Sequence, residues 1–535
     1  MEKKGLGAAV VIAVIALVFC GFYFLALSLA VPELGFPLDD SWIHFVFARN
    51  TAHGDFFAYN PHRPVAGTTS PLWVVLMVPT YWLGVKPELW AYLWGWLFLA
   101  AAGIATYFLA RRFMSDRFAV WSGILVVSSG RLLWAAMSGM EITLAAFLWV
   151  LAAYLVWSVK DRGKGAFWTG MVLSLAVYAR PESYLFAVVC LAYLFVNIEG
   201  GGARVDVSFD FKKPLAVGLV WLVFTIPYPV LCYLSHGRPL PTTFYAKRYE
   251  GLMDFSQYIA NAVAWFVRDN LIWGVFGLAA VLLAFYGFRW ARERGGGRLP
   301  AIVLLWPVSF LAVEAVTAPI LWHHARYTMP LIPFWIMLGM WFAELAFDRF
   351  GIDLKLSIRA AGFGKKVVAL SAIFLWLTFG LNVERARKVL VRNYLPDVGA
   401  IRDINIAMGK VVREYVPEGV AVAVNDVGAI AYFGEHPVFD LLGLVSPEVL
   451  PIIESTGYMG SPTYARKMLD YLKCRPDVGY AAIFPFWFPG MMDERIFEPM
   501  FSVIGMDGGE NRRPKMKILY KFHRERLGPC EEPSG

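Results

Sequence analysis

Eleven apolar runs of roughly 15–25 residues dominate the chain and constrain it to a membrane. They lie at 6–30, 88–110, 118–134, 142–159, 165–179, 184–198, 214–234, 270–288, 299–320, 327–346 and 367–381. A hydrocarbon core of about 30 Å takes about 20 helical residues to cross. Without water to satisfy backbone N–H and C=O groups, a helix satisfies its own. The fold class is therefore mainly α, a polytopic helical membrane protein with about 11 transmembrane helices and additional interfacial helices. With 58% hydrophobic and 17% charged residues, the composition fits that class. The first run follows Lys3 and Lys4 and is too long for a signal-peptide core, so it reads as a retained anchor.

A further run, 71–84 (PLWVVLMVPTYWLG), is short and carries Pro79. If it does not cross, RRFMSDR, KDRGK, ARVDVSFDFKK, FRWARERGGGR and DRFGIDLKLSIRAAGFGKK all share a side with the N-terminal MEKK. Positive loops are cytoplasmic loops. The N-terminus is thus expected in the cytoplasm and the C-terminal part outside the plasma membrane, with 71–84 re-entrant or interfacial. The net charge of +8 is read as topology, and no basic face stands apart to suggest a nucleic acid partner. The many Trp, Tyr and Phe read chiefly as belts at the two interfaces.

From about residue 382 the composition shifts. VPEGVAVAV, HPVFDLLGL and GYAAIFPF read as strands, and NDVGAIAYFG and ARKMLDYLKC contain helices. The expected division is a transmembrane catalytic domain at 1–381 and an extracytoplasmic soluble α/β domain at 382–535. Asn425 and Asp426 in the VNDVG turn read as a helix cap in preference to a ligand site. Cys474 and Cys530 both fall in this part, where a disulfide is open, and the cysteines show no metal-ligand spacing.

The outer loops concentrate unusual side chains. In LDDSWIHFVFARN, Asp39 and Asp40 open a short helix expected on the outer membrane surface; one of them is accounted for as its cap, the other is left over. A carboxylate there can take a proton from an acceptor hydroxyl or hold a divalent cation, Mg, Mn or Ca, with Asp40 as its candidate ligand. His44 sits one turn further on. Arg180, Lys247, Arg248, Arg326 and His324 supply cations for a phosphate from three separate loops. The run before Arg180 is too short to reach the surface, so Arg180 should be buried and partnered, Glu182 being the nearest carboxylate. Glu141, Glu182, Thr68, Thr69, Tyr245 and His44 complete the candidate substrate-binding set. Bland roles compete: Glu141 as a helix-dipole partner, Thr68 and Thr69 as helix caps.

Taken together, the "DD" with its helix ending ARN, GTTSPLW, SGME, RPE, GRPLPTTFYAK and ARYTMPLIP resemble the GT-C superfamily of membrane glycosyltransferases. Within it the likeness is greatest to the mycobacterial cell-wall arabinofuranosyltransferase group. The resemblance implies transfer of a monosaccharide from a polyprenyl phosphate to a glycan, lipid or protein acceptor on the outer face, amid membrane lipids. It places the base at Asp39 or Asp40, with Asp39 favoured by the family pattern and Asp40 supporting it or binding a cation. It also implies lipid-phosphate contacts from Arg180, Lys247, Arg248 and Arg326. A polyprenyl phosphate leaves as an anion, so one base and a set of cations suffice for in-line, inverting displacement. The competing readings are a lipid or glycan transporter or flippase, which would need ionisable groups at mid-membrane on several spans, and an inactive scaffold subunit of a surface-polymer complex.

Overall fold

The computed structural model describes residues 3–201, 204–247, 253–283, 301–349, 363–456, 461–508 and 512–530. Each predicted apolar run is mostly helical over its described residues, although 184–198 passes into a strand at Val196. By length and apolarity the described residues support the expected eleven spans only in part. Among the described residues five helices are long and apolar enough to cross: Gly5–Ala30, Pro87–Ala110, Ile142–Arg162, Lys212–His236 and Trp322–Phe347. A sixth forms if Asp116–Val127 and Gly130–Ala136, bent by 53°, count as one.

Several others are short. Ala166–Ala179 has 14 residues and Ser183–Phe195 has 13, a rise of about 20 Å at 1.5 Å per residue, well under the hydrocarbon thickness. The turn between them is consequently inside the protein, with Arg180 only 4% exposed. The 71–84 run is two short helices, Pro71–Met77 and Pro79–Leu83. The break falls at Pro79, which cannot donate to the carbonyl one turn back.

No loop separates the membrane helices from the C-terminal part. Phe363–Val389, Leu390–Tyr394, Leu395–Ala400, Ile401–Ile406 and Ala407–Tyr415 follow one another without a gap, two of them π-helical. The division expected at 381/382 thus falls within a helix, and the first strand of the C-terminal sheet begins only at Ala421. That sheet has five strands in the order Val438–Asp440, Ala421–Val424, Val478–Ile483, Pro514–Phe522, Phe497–Met506. The first three are parallel and connect through helices; the last two form an antiparallel hairpin that the sequence pattern had not disclosed. Cys474 and Cys530 are disulfide-bonded.

The helix Asp40–Ala52 lies between these two halves. All residues from Ser41 to Ala48 are buried, so it is an internal helix and not the surface helix expected. Trp42 packs its ring 4.7 Å from both Tyr432 and Phe433, while Arg49 donates to the Tyr432 carbonyl at 2.9 Å.

Candidate functional site

Successive residues on a helix point about 100° apart, and this separates the two aspartates. Asp40, Ile43 and His44, at i, i+3 and i+4, share one face and line a cavity of about 680 Å³. Asp39 points the other way. It occupies the N-cap position of its own helix without capping it. Its oxygens instead accept N–H bonds from Gly428 at 2.7 Å and Ala429 at 2.9 Å, and a bond from the Asn405 amide at 2.9 Å. It thus caps the remote helix Gly428–Gly434, the role that Asn425 and Asp426 were expected to play. Those two are otherwise engaged: Asn425 accepts from the Phe484 N–H at 3.2 Å, and Asp426 binds the buried Lys517 at 2.6 Å. Burial, then the nearby Asp426 charge, push the Asp39 carboxyl up to about 6 against the opposing pull of Lys517 and the hydrogen bonds.

Asp40 has the opposite electrostatic setting. Its Oδ2 pairs with Arg326 and stands 3.7 Å from the Lys247 ammonium. Burial alone would raise its pKa, but the Arg326 and Lys247 charges hold it well below the usual carboxylate range. Lys247 also donates to the Tyr327 hydroxyl at 3.3 Å, as does Arg326. The Arg326 side chain is 6% exposed, and its Nη1 lies buried with no hydrogen-bond partner. Arg326 lines the cavity. A buried guanidinium N–H left open on a cavity wall is a vacant donor site for an acceptor-rich group.

Arg180 also lines the cavity but is already held. Its Nη1 bonds Glu141 Oε1 at 2.8 Å and its Nη2 bonds Glu182 Oε1 at 2.6 Å. This structural pairing accounts for its burial and leaves Arg326 and Lys247 as the cations facing Asp40. Burial works to raise the Glu141 pKa, but the His44 imidazole and Arg180 outweigh it and bring it down to about 2. Thr68 and Thr69 line the same cavity, and Thr68 Oγ1 lies 3.4 Å from His44 Nδ1.

Other predicted residues lie elsewhere. His324 is not on the cavity wall; its Nε2 pairs with Asp397 at 2.8 Å. Tyr245 lies under the Arg238 guanidinium at 4.9 Å, and Arg238 pairs with Glu454. Arg248 falls outside the described residues. As for a divalent cation, Asp40 confronts two cationic side chains, and among the described residues no group of three His, Cys, Asp or Glu converges. The donor set beside Asp40 does not fit a metal.

Residues that pattern reading missed include Thr243 and Glu314, both on the cavity wall, and the scaffold beneath Arg326. His323, His324 and Ala325 are consecutive residues with φ of 50°, 62° and 55°, a left-handed turn that costs an L-residue about 1–2 kcal/mol each. Arg131 holds it: fully buried and paired to Asp269 at 2.6 Å, it donates to the His324 carbonyl at 3.2 Å and the Ala325 carbonyl at 3.4 Å. The signal available for Arg131 and Glu314 was their place inside apolar runs, where an ionisable residue needs a reason.

Residues 397–505 match a family described as a domain of unknown function, DUF8728. No curated protein matches the chain in sequence. In structure it is similar to the archaeal oligosaccharyltransferase AglB from Archaeoglobus fulgidus in complex with an inhibitory peptide and a dolichol-phosphate. The TM-score is 0.63 at 15% identity, over 94% of this chain and 73% of that one. The Archaeoglobus fulgidus oligosaccharyltransferase in complex with Zn and sulfate is similar at a TM-score of 0.60 and 14% identity, over 92% and 71%. Arabinofuranosyltransferase AftD from Mycobacteria is similar at 0.50 and 15%; there 98% of this chain spans only 40% of the other. The chain thus shares the fold of these solved structures, in line with the likeness its motifs carry.

Proposed function

We propose that the chain is a membrane glycosyltransferase that moves a monosaccharide from a polyprenyl phosphate to an acceptor hydroxyl at the outer face, with Asp40 as the base. The observation that carries this is the open, buried Nη1 of Arg326 on a cavity wall shared with Lys247 and Asp40. A phosphate oxygen is the acceptor such a donor lacks. The same cavity is lined by Leu185, Phe310, Val313, Val316 and Ile320, an apolar flank suited to the first isoprene units. The fold shared with an oligosaccharyltransferase that was captured with a dolichol-phosphate supports a lipid-phosphate donor.

The chemistry follows from the two charges. In the free protein Arg326 and Lys247 are directed at Asp40 and suppress its basicity. An arriving phosphate shares those cations, so the Asp40 carboxylate regains proton affinity when a donor is in place. Asp40 then takes the proton of the acceptor hydroxyl. The hydroxyl oxygen attacks the anomeric carbon opposite the phosphate, the carbon–oxygen bond to phosphate breaks, and polyprenyl phosphate leaves with the electron pair. Its charge is met by Arg326 and Lys247. Asp39 takes no part in this step; its carboxylate is committed to the helix Gly428–Gly434.

On this reading the cavity and the C-terminal sheet are extracytoplasmic. The cytoplasmic placement expected for the basic loops agrees with it, as does the Cys474–Cys530 disulfide, which suits an oxidising compartment. The test is transfer by purified protein in nanodiscs from a panel of polyprenyl-phospho-sugars, with products identified by mass. Wild type should release polyprenyl phosphate and form a glycoside, and Arg326→Gln should weaken donor binding at least about tenfold. Donor binding indifferent to Arg326→Gln would defeat the proposal.

A further inference from the structure

Three polar atoms on the wall of the one cavity are buried and lack hydrogen-bond partners: Arg326 Nη1, Glu141 Oε2 and Thr243 Oγ1. They differ in kind. The guanidinium nitrogen can only donate, the carboxylate oxygen can only accept, and the hydroxyl does either. The phosphate of the proposed donor answers the first and leaves the second unmet. Glu141 is 2% exposed, and its Oε1 is occupied by Arg180 at 2.8 Å. Its Oε2 has His44 Nε2 at 3.5 Å, an ion-pair distance too long for a well-formed hydrogen bond. An ionised carboxylate oxygen buried with one long imidazole contact keeps acceptor capacity that a ligand hydroxyl would fill.

The charge around it narrows the ligand further. Glu141 and Glu182 line this part of the wall with Arg180 between them, so two carboxylates face one guanidinium. An anionic substituent would meet an excess of like charge in a buried setting. Resting on the proposed function, we infer that Glu141 marks a sugar subsite: its Oε2 accepts a hydrogen bond from a hydroxyl of the transferred sugar, and the subsite selects a sugar without a carboxylate. The cavity is then bipolar, with Arg326 and Lys247 fixing the phosphate while Glu141 reads the ring. The subsite makes Glu141 a determinant of which polyprenyl-phospho-sugar is used, separate from the base.

Equilibrium binding to the full chain in nanodiscs tests this with three probes: farnesyl phosphate, its ester with a neutral aldose, and the ester with the corresponding uronic acid. Wild type should bind the aldose ester about tenfold tighter than farnesyl phosphate, and the uronate ester at least about tenfold more weakly than the aldose ester. Glu141→Gln keeps an oxygen for Arg180 and turns the cavity-facing atom into a donor. It should remove most of the aldose advantage, relieve the rejection of the uronate, and leave farnesyl phosphate within about twofold. Thr243→Val, with a melting curve beside it, reports on the same wall without touching Arg180 and should lower aldose-ester affinity a few-fold. If Glu141→Gln does not fold, the wild-type ranking of the two esters still decides. An aldose advantage that survives Glu141→Gln, or a uronate bound as tightly as the aldose, overturns the subsite alone, provided farnesyl phosphate binding still depends on Arg326. Failure of wild type to bind any of the probes overturns the subsite and the proposed function together.

Discussion

Exchanging Asp39 and Asp40 for Asn, one at a time, should produce two different failures. Asp39 accepts three hydrogen bonds, from the Gly428 and Ala429 N–H groups and the Asn405 amide. An Asn there keeps one oxygen, so its amide NH₂ is turned toward at least one N–H. A hydrogen bond to a charged group contributes about 1.5–3 kcal/mol and an orphaned buried donor costs about 1–3 kcal/mol. Relief of the repulsion from Asp426 offsets part of this. The expected loss is therefore about 2–4 kcal/mol, read as a lower melting temperature and faster proteolysis between the membrane helices and the C-terminal sheet. Asp40→Asn takes the carboxylate from the buried Arg326, which keeps its Tyr327 contact, so some melting temperature is lost as well, but its distinguishing effect should be transfer lowered about 10²–10⁴-fold. Its donor affinity should be unchanged or higher, since Arg326 and Lys247 no longer have a carboxylate competing with phosphate. The measurements are differential scanning fluorimetry, limited proteolysis and a single-turnover transfer assay on matched nanodisc preparations. An Asp39→Asn protein as stable as wild type but unable to transfer would refute the division of labour, as would an Asp40→Asn protein with undiminished turnover.

Other outcomes follow from the same geometry. Gly428→Ala should destabilise the docking of the two halves by more than about 2 kcal/mol, because a Cβ at 428 would lie 1.9 Å from the Asp39 carbonyl oxygen; thermal unfolding checks it. Arg131→Met leaves Asp269 buried with only the 3.9 Å Arg385 contact and should cost about 3 kcal/mol, with donor affinity falling as Arg326 loses its support. Ala325→Val puts a β-branched residue at a φ of 55° and should cost about 2 kcal/mol, whereas Ala325→Gly should be tolerated. The Asp39 carboxyl has a folded pKa of about 6, above its ordinary value of 3.8. Its contribution to stability is therefore fully present below about pH 4 and lost as pH rises through 6. The stability gap between wild type and Asp39→Asn should narrow over that interval, as pH-dependent melting would record.

The aspartate pair shows where reading by sequence pattern stops and why. Two carboxylates beside a membrane-spanning run are visible as an anomaly, and charge bias in the loops suggests which face they occupy. Which carboxylate meets the cavity depends on helix phase and on a partner 389 residues further along the chain, and neither leaves a local trace. The same holds for Arg180 and His324: residue type and loop position brought both into a phosphate-binding set, but their carboxylate partners decide their roles. Glu141 and Glu182 occupy Arg180, and Asp397 occupies His324. Arg326 differs because its guanidinium retains an open buried N–H, a property of packing that composition and spacing do not encode. Helix length behaves similarly. An apolar run predicts a helix reliably, but Ala166–Ala179 and Ser183–Phe195 end early, and that shortness carries the turn with Arg180 and Glu182 into the protein beside Glu141. The short helices among the expected spans are thus the ones that build the acidic wall of the cavity.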